Sequence, residues 1–192
     1  YSMPEYLVEK WKAAYGVKTT EKILEDFLTE RPITVRCRTH KASLREIVTS
    51  LKSQGVTVEQ APYLPYALKI SDYNHILTLE TFLQGKILVQ DVSSMLVAEA
   101  ASPKKGDHII DMCAAPGGKS IHAADKMGDY GNVDARDVSQ YKADLIKENI
   151  HRTGVINVEA RVQDATVYDP DSEQAADIVI ADVPCSGYGV IG

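Results

Sequence analysis

The N-terminal residues place apolar side chains at helical spacing. Leu7, Trp11 and Ala14 recur at intervals of three and four positions, which puts them on one face of a helix. Thr20 is a residue type that can cap a second helix. We therefore predict a helical lead-in over residues 1–30.

The apolar pattern changes over residues 31–84. Ser43 and Glu46 form a capping-box pair that opens a helix, and β-rich stretches lie on both sides of it. The predicted order is strand, helix, strand, strand, at residues 33–38, 44–51, 56–59 and 67–70. This order suggests a small α/β domain of the split-βαβ, RRM-like kind.

Strands and helices then alternate over residues 85–192. After a helix at 92–101, the pattern predicts strands at 108–112, 131–138, 156–162 and 178–182, with helices between them at 119–127 and 139–152. This alternation is typical of an α/β fold with a doubly wound parallel sheet. A complete sheet of this type has more strands, so we expect truncation after strand four and read the chain as an internal segment of a longer protein.

Composition narrows the class of protein. The 192 residues are 44% apolar, which suits one large domain or two small ones. The sequence has no apolar run of membrane-spanning length and no apolar leader with a basic start, so we expect a cytoplasmic protein with no membrane partner. The three cysteines lie far apart and the five histidines are scattered, which argues against a disulfide framework or a metal site.

Charge is distributed unevenly along the chain. The net charge is −6, but residues 1–105 carry +2 and residues 106–192 carry −8. Five basic residues with no acid between them lie at Arg31, Arg36, Arg38, Lys41 and Arg45. This cluster is either an ordinary solvated face or a phosphate-binding patch, and charge alone does not separate the two interpretations.

The strongest candidate for chemistry is the segment DMCAAPGGKS at residues 111–120, between a predicted strand and helix. Small residues there let a ligand approach the backbone, and the helix start offers free N–H groups. A Walker A loop is excluded because Cys113 stands where that motif needs glycine, and the dinucleotide pattern GxGxxG is absent. The alternative is a tight turn without a ligand.

Three acids follow at the ends of later predicted strands. Asp137 has the position from which a carboxylate binds both hydroxyls of a ribose, although it could instead cap the next helix. Asp164 and Asp182 end the third and fourth strands. Together with the loop, these acids suggest a nucleoside ligand that carries a positive charge.

These segments carry a resemblance to a known family. Residues 111–120 and 182–189 resemble the first and fourth motifs of the RNA cytosine-5 methyltransferases, and VQDVSSM at 89–95 is similar to the family's lead-in to its catalytic fold. The resemblance implies a class I, Rossmann-like methyltransferase domain that binds S-adenosyl-L-methionine. The implied cofactor residues are Cys113, Ala114, Ala115, Pro116, Gly117, Gly118, Lys119, Asp137, Asp164 and Asp182.

The resemblance also implies a reaction. A cysteine adds to carbon 6 of cytosine so that carbon 5 can accept a methyl group. Asp182 would stabilise this adduct near N3, and Cys185 would assist product release. The attacking cysteine of the family lies in a later Thr-Cys motif, which these 192 residues lack. We therefore expect the main nucleophile to lie beyond Gly192, and we expect no activity from this segment alone.

The upstream segments resemble those of the bacterial small-subunit enzymes of the B type. The resemblance implies 16S ribosomal RNA as partner, with the target cytosine single-stranded or splayed out, and Arg36, Arg38, Lys41 and Arg45 as RNA-contacting residues. The sequence reads Arg36-Cys37-Arg38 where the family often has Arg-Val-Asn. The alternatives are a methyltransferase with a protein or small-molecule substrate and a non-catalytic RNA- or cofactor-binding protein.

Overall fold

The computed structural model describes residues 3–29, 31–128 and 130–185. The lead-in contains two helices, α1 (Glu5–Tyr15) and α2 (Val17–Asp26), with the rings of Trp11 and Phe27 stacked 6.0 Å apart. The prediction that Thr20 caps the second helix is wrong. Its hydroxyl donates to the carbonyl of Gly16 from within the first turn, because the helix already begins at Val17.

Four antiparallel strands form the sheet of the small α/β domain. The elements are β1 (Ile33–Cys37), α3 (Leu44–Ser53), β2 (Thr57–Gln60), β3 (Ala67–Ser71), α4 (Glu80–Leu83) and β4 (Ile87–Val89). The strand order β2-β3-β1-β4 is that of a ferredoxin-like βαββαβ unit, which confirms the split-βαβ prediction. The capping box of Ser43 and Glu46 is present at the start of α3.

The fourth strand of this sheet was not predicted. Strand β4 pairs with β1 in the register Val35 with Val89 and Cys37 with Ile87. It therefore lies beyond the domain boundary that the sequence suggested between residues 84 and 85. At three residues, the strand is too short for its period to stand out from the helix that follows it.

A parallel sheet forms the core of the remaining chain. Its elements are α5 (Val92–Ala101), β5 (His108–Asp111), α6 (Gly118–Met127), β6 (Asn132–Asp137), α7 (Gln140–Thr153), β7 (Val158–Val162) and β8 (Ile178–Ile180). The order β7-β6-β5-β8 confirms a doubly wound sheet. Ile109, Val133 and Ile180 are buried at its centre, against Ile146 of α7.

The register of the strands brings their carboxyl ends to one edge. Asp111 pairs with Ala135 and with Ile180, and Asp137 pairs with Val162. Ligands bind beyond this edge in doubly wound folds. In the part of the chain that the structure describes, no helix is long and apolar enough to cross a membrane.

Candidate functional site

The loop after β5, residues 113–119, depends on a glycine with a positive φ. Gly117 has φ +99°, and a Cβ there would lie 3.3 Å from Cγ2 of Ile146. Any other residue would therefore combine backbone strain with a tight contact. The side chain of Asn149 donates to the carbonyl of Pro116 over 2.9 Å, so α7 holds the loop from one side.

Asp111 anchors the start of this loop, a role that was not predicted from the sequence. The residue is fully buried, and its Oδ2 accepts a 2.6 Å hydrogen bond from the hydroxyl of Ser120. Burial raises the pKa of Asp111 to about 6, against the opposing effect of the Ser120 hydrogen bond. The contact ties the last residue of β5 to the first turn of α6.

Asp137 holds the 113–119 loop through a hydrogen bond to its backbone. Its Oδ2 accepts from the backbone N–H of Ala115 over 3.0 Å, and its Oδ1 accepts from that of Val138 over 2.8 Å. The ammonium of Lys142 lies 3.1 Å from Oδ1. Burial by itself raises the pKa of Asp137, but these three donors outweigh it and lower the pKa.

The helix cap next to Asp137 is a different residue. The hydroxyl of Ser139 accepts from the backbone N–H of Lys142 at the start of α7. The alternative interpretation of Asp137 as a helix cap is therefore wrong. Its carboxylate is directed to the loop instead.

Asp164 lines a separate cavity at the same edge. The cavity has a volume of about 220 Å³, and its walls include Met112, Gln163 and Tyr168. Asp164 is exposed and accepts from the backbone N–H and the hydroxyl of Thr166, which lower its pKa. Both hydrogen bonds from Thr166 are accepted by Oδ1 of Asp164. The contacts with Thr166 therefore leave Oδ2 available to a ligand.

Asp182 and Lys119 form an ion pair beside the loop. Their Oδ2 and Nζ atoms lie 2.6 Å apart, with 57% of the Asp182 side chain and 19% of the Lys119 side chain exposed. The structure thus brings the predicted residues of the first and fourth motifs into direct contact. The exposed carboxylate remains accessible to a further partner.

The fourth motif, residues 182–189, is described only in part. Asp182 and Cys185 belong to the described residues, whereas the rest of the motif after Cys185 does not. Gly192, beyond which the main nucleophile is predicted to lie, is also outside the described residues. The position of the attacking cysteine beyond Gly192 therefore stays a prediction.

The described cysteines have different environments. Burial raises the pKa of Cys37 to about 12. The pKa of Cys113 is also raised, by burial and by the nearby charges of Asp137 and Asp111. Cys185 is exposed. Because a nucleophilic cysteine needs a lowered pKa, neither Cys37 nor Cys113 suits that role.

Two of the four residues predicted to contact RNA are buried. Arg36 and Arg38 are each 2% exposed, and both pair with Asp125 of α6, at 2.7 and 2.6 Å. Arg38 also donates to the carbonyls of Gly85 and Thr153. Nη2 of Arg36 has no partner among the described residues, but it is buried as well. The burial of both guanidiniums against Asp125 therefore contradicts the prediction that Arg36 and Arg38 contact RNA.

Lys41 and Arg45 are exposed, so phosphate binding stays a prediction for these two alone. The sequence alone does not distinguish these four basic residues, since the carboxylate that pairs with Arg38 lies 87 positions away from it. In the ranges that the structure describes, no group of three or more His, Cys, Asp or Glu residues could hold a metal ion.

Comparison with known families accounts for this arrangement. A family model described as 16S rRNA methyltransferase RsmB/F matches residues 98–192, and the model of the ferredoxin-like domain of the same family matches residues 3–76. The chain belongs to the RsmB/F methyltransferase family. Members of this family are S-adenosylmethionine-dependent methyltransferases.

Individual relatives of this RsmB/F chain are named as ribosomal RNA methyltransferases. It is 38% identical over 191 residues to the probable ribosomal RNA small subunit methyltransferase B of Bacillus subtilis, covering 99% of this chain and 42% of the relative. It is 31% identical to the human 28S rRNA (cytosine(4447)-C(5))-methyltransferase, covering 100% of this chain and 24% of that protein. The chain thus spans less than half the length of these curated relatives.

A solved structure extends the likeness to three dimensions. The crystal structure of PH0851 superposes with a TM-score of 0.82 at 32% sequence identity, covering 95% of this chain and 41% of that one. A methyltransferase homologue from Pyrococcus horikoshii gives a TM-score of 0.74 at 26% identity, covering 96% and 65% of the two chains.

Proposed function

We propose that this chain provides the S-adenosylmethionine site and one wall of the target-base site of an enzyme that methylates carbon 5 of a cytosine in small-subunit ribosomal RNA. The observation that carries the proposal is the convergence of the 113–119 loop with two carboxylates at one sheet edge. Asp137 accepts a hydrogen bond from the backbone N–H of Ala115 in the loop, and Asp182 forms an ion pair with Lys119 of the loop.

The residues at this edge fit the cofactor. The ligand carries a sulfonium charge. Asp137 ends β6, and Asp164 and Asp182 lie two residues after the ends of β7 and β8, so all three acids lie at the same edge of the sheet. Asp137 lies where doubly wound folds place the acid that binds a ribose, and Lys142 at 3.1 Å would move aside for those hydroxyls. The cavity beside Met112 and Asp164 would accept the base. When bound, S-adenosylmethionine supplies the methyl group.

The chain's own residues would prepare the target base. Lys119 orients the carboxylate of Asp182 through their ion pair, and Asp182 would hydrogen-bond the cytosine ring at N3. Cys185 would assist product release, as the resemblance implies. The attacking cysteine is assigned to a Thr-Cys motif beyond Gly192, which the 192 residues do not contain. The raised pKa values of Cys37 and Cys113 support that assignment.

The proposed RNA substrate is small-subunit ribosomal RNA with an unstacked target cytosine. The name of the Bacillus subtilis relative supports the small ribosomal subunit, whereas the human relative acts on 28S RNA. A base that undergoes chemistry must leave its stack, so we propose a single-stranded or splayed cytosine as target. Lys41 and Arg45, both exposed on the small domain, would contact phosphates near it.

Calorimetry tests the cofactor assignment. The chain should bind S-adenosylhomocysteine, and it should bind neither ATP nor NAD, whose loop motifs it lacks. Binding of ATP or NAD in preference to S-adenosylhomocysteine would contradict the proposal.

A labelled methyl donor tests the reaction. The 192 residues alone should transfer no methyl group to ribosomal RNA, whereas a longer chain with the Thr-Cys motif should methylate small-subunit RNA in preference to large-subunit RNA. In that longer chain, Cys185→Ala should accumulate a covalent protein–RNA adduct, seen as a shifted band. Transfer by the short chain would refute the assignment of the nucleophile, and an adduct-free Cys185→Ala variant would refute the release role.

A further inference from the structure

The turn between α4 and β4 of the small domain contacts the C-terminal end of α7. Gly85 in this turn has φ +63°, and a Cβ there would lie 2.5 Å from the carbonyl oxygen of Arg152 and 2.6 Å from Cα of Thr153. Nη1 of Arg38 donates to the carbonyls of both segments, at Gly85 over 3.0 Å and at Thr153 over 2.6 Å. The backbone of the small domain therefore packs closely against the last turn of α7.

The side chain of Arg152 extends this contact. Its Nη1 donates to the carbonyl of Phe82 over 2.7 Å and to that of Ile87 over 3.2 Å. Its guanidinium carbon also lies 3.9 Å from the centroid of the Phe82 ring, within the range of a cation–π interaction. One end of the guanidinium is therefore bound to uncharged groups of the small domain.

The other end of the guanidinium fixes the amide of Asn149. Nη2 of Arg152 donates to Oδ1 of Asn149 over 2.7 Å, and Nδ2 of Asn149 donates to the carbonyl of Pro116 over 2.9 Å. A guanidinium only donates and a carbonyl only accepts. The reversed amide would therefore place two donors together at Arg152 and two acceptors together at Pro116, so Arg152 selects the orientation that holds the loop.

Hydrogen bonds thus run without a gap from the small domain to the 113–119 loop. They lead from the carbonyl of Phe82 through Arg152 and Asn149 to the carbonyl of Pro116. Neither Arg152 nor Asn149 lines the cavity beside Asp164 that would accept the base. Their influence on a ligand there would therefore come through the conformation of the loop.

We propose that Arg152 is a positioning residue that couples the contact between the small domain and α7 to the conformation of the 113–119 loop, and that it acts through Asn149. Without Arg152, the amide of Asn149 is free to turn, and part of the population has a loop without this hydrogen bond. Apparent affinity falls with the fraction of the protein that is ready to bind. The effect on the cofactor rests on the proposed function, whereas the effect on the loop does not.

Hydrogen exchange tests the coupling without a ligand. The backbone N–H groups of Ala114, Ala115 and Gly117 are hydrogen-bonded, so their exchange reports opening of the loop. Arg152→Met keeps a long unbranched side chain but has no donor. This variant and Asn149→Ala should each speed exchange of these amides severalfold, as measured by mass spectrometry of the peptides that cover the loop.

Titration calorimetry with S-adenosylhomocysteine measures the effect on the cofactor site. Arg152→Met and Asn149→Ala should each weaken binding about fivefold, the equivalent of one neutral hydrogen bond. Because the two residues act in sequence, the double variant should bind no more weakly than Asn149→Ala alone. Independent contacts would instead give losses that multiply.

Asn157→Ala is the matched control for both measurements. It removes a similar hydrogen bond, from Nδ2 of Asn157 to the carbonyl of Gly128 over 3.0 Å, in a region that does not include the 113–119 loop. Loop exchange and S-adenosylhomocysteine affinity should both match those of the unaltered chain.

Asn149→Asp separates positioning from stability. The aspartate keeps an acceptor for Arg152 and adds a charge to that contact, so the variant should be at least as stable to heat as Asn149→Ala. It has no donor for the carbonyl of Pro116, so its S-adenosylhomocysteine binding should be no stronger than that of Asn149→Ala. Asn157→Asp is the charge-matched control and should leave the affinity unchanged.

Each of three results would overturn the inference. Unchanged loop exchange in Arg152→Met would mean that Arg152 only attaches the small domain to α7. Multiplied losses in the double variant would mean that Arg152 does not act through Asn149. Equal effects of Asn157→Ala and Asn149→Ala would indicate a general loss of stability. If the unaltered chain binds no S-adenosylhomocysteine while loop exchange responds as expected, the proposed function fails and the coupling to the loop stands.

Discussion

Arg38 and Asp125 form a two-point ion pair that joins the antiparallel sheet to the parallel one. Nη2 of Arg38 lies 2.6 Å from Oδ1 of Asp125, and Nε lies 2.9 Å from Oδ2. Arg36 pairs with the same carboxylate. Burial alone raises the pKa of Asp125, but hydrogen bonds and charge from the two arginines outweigh it and lower the pKa. The carboxylate therefore stays charged between them.

Asp125→Ala should destabilise the protein strongly. The substitution leaves two guanidiniums buried without a carboxylate, and removing one partner of a buried pair costs about 3–5 kcal/mol. Urea denaturation monitored by circular dichroism measures the loss. Asp144→Ala is the control, since Asp144 is 52% exposed in its pair with Lys147 and should change stability by less than about 0.5 kcal/mol. Similar stabilities for the two variants would contradict the role of Asp125.

The contacts of Arg36 and Arg38 also illustrate what a sequence pattern cannot predict. Apolar periodicity predicts β1 correctly because alternation is a local property, but it cannot reveal that a carboxylate 87 positions later faces Arg38. The loop and the acids at strand ends were predictable, because strand–loop–helix order alone puts them at one edge. The hydrogen bond from Arg36 to Gln90 was not predictable, since the two residues lie 54 positions apart.

Asp137→Ala should weaken binding of S-adenosylhomocysteine by at least about tenfold. The variant loses the proposed ribose contact and also the hydrogen bond that holds the N–H of Ala115, and each hydrogen bond to a charged group contributes about 1.5–3 kcal/mol. Calorimetry measures the affinity, with Asp171→Ala at an exposed aspartate as the control. Equal affinities for Asp137→Ala and the unaltered chain would remove Asp137 from the site.

Lys41→Ala combined with Arg45→Ala should reduce the salt dependence of RNA binding. Each phosphate contact with a single strand contributes about 0.7 to the slope of log affinity against log salt, so losing both should lower the slope by about 1.4. Fluorescence anisotropy with a labelled single-stranded RNA at several salt concentrations gives the slope. Lys147→Ala, at a lysine that is 55% exposed on α7, should leave it unchanged. If the double variant has the same slope as the unaltered chain, Lys41 and Arg45 form only a solvated face.

His122 should make the fold sensitive to mild acid. The residue is 3% exposed, and burial, followed by the charge of Arg36, lowers its pKa from 6.5 to about 3. Between those two pH values the unfolded chain binds a proton at His122 that the folded chain does not, so stability must fall as the pH falls through this window.

The size of this effect follows from the proton balance. A difference of one bound proton between the unfolded and folded chains changes the free energy of unfolding by about 1.4 kcal/mol per pH unit. Between pH 6.5 and pH 5 the loss amounts to about 2 kcal/mol. Asp111 acts in the opposite direction, because its pKa is raised to about 6 and the folded chain then holds a proton that the unfolded chain releases. The total pH dependence therefore mixes both groups, and a variant is needed to isolate His122.

His122→Gln provides that isolation. It removes the titrating ring while Asp111 remains, so the variant should lose less stability than the unaltered chain when the pH is lowered from 7 to 5. Denaturant unfolding at each pH gives the difference, and only the change with pH counts, because the substitution also alters packing. His75→Gln, at an exposed histidine, should follow the unaltered chain. If His122→Gln also follows it, the imidazole of His122 is charged in the folded protein and its buried, neutral state is refuted.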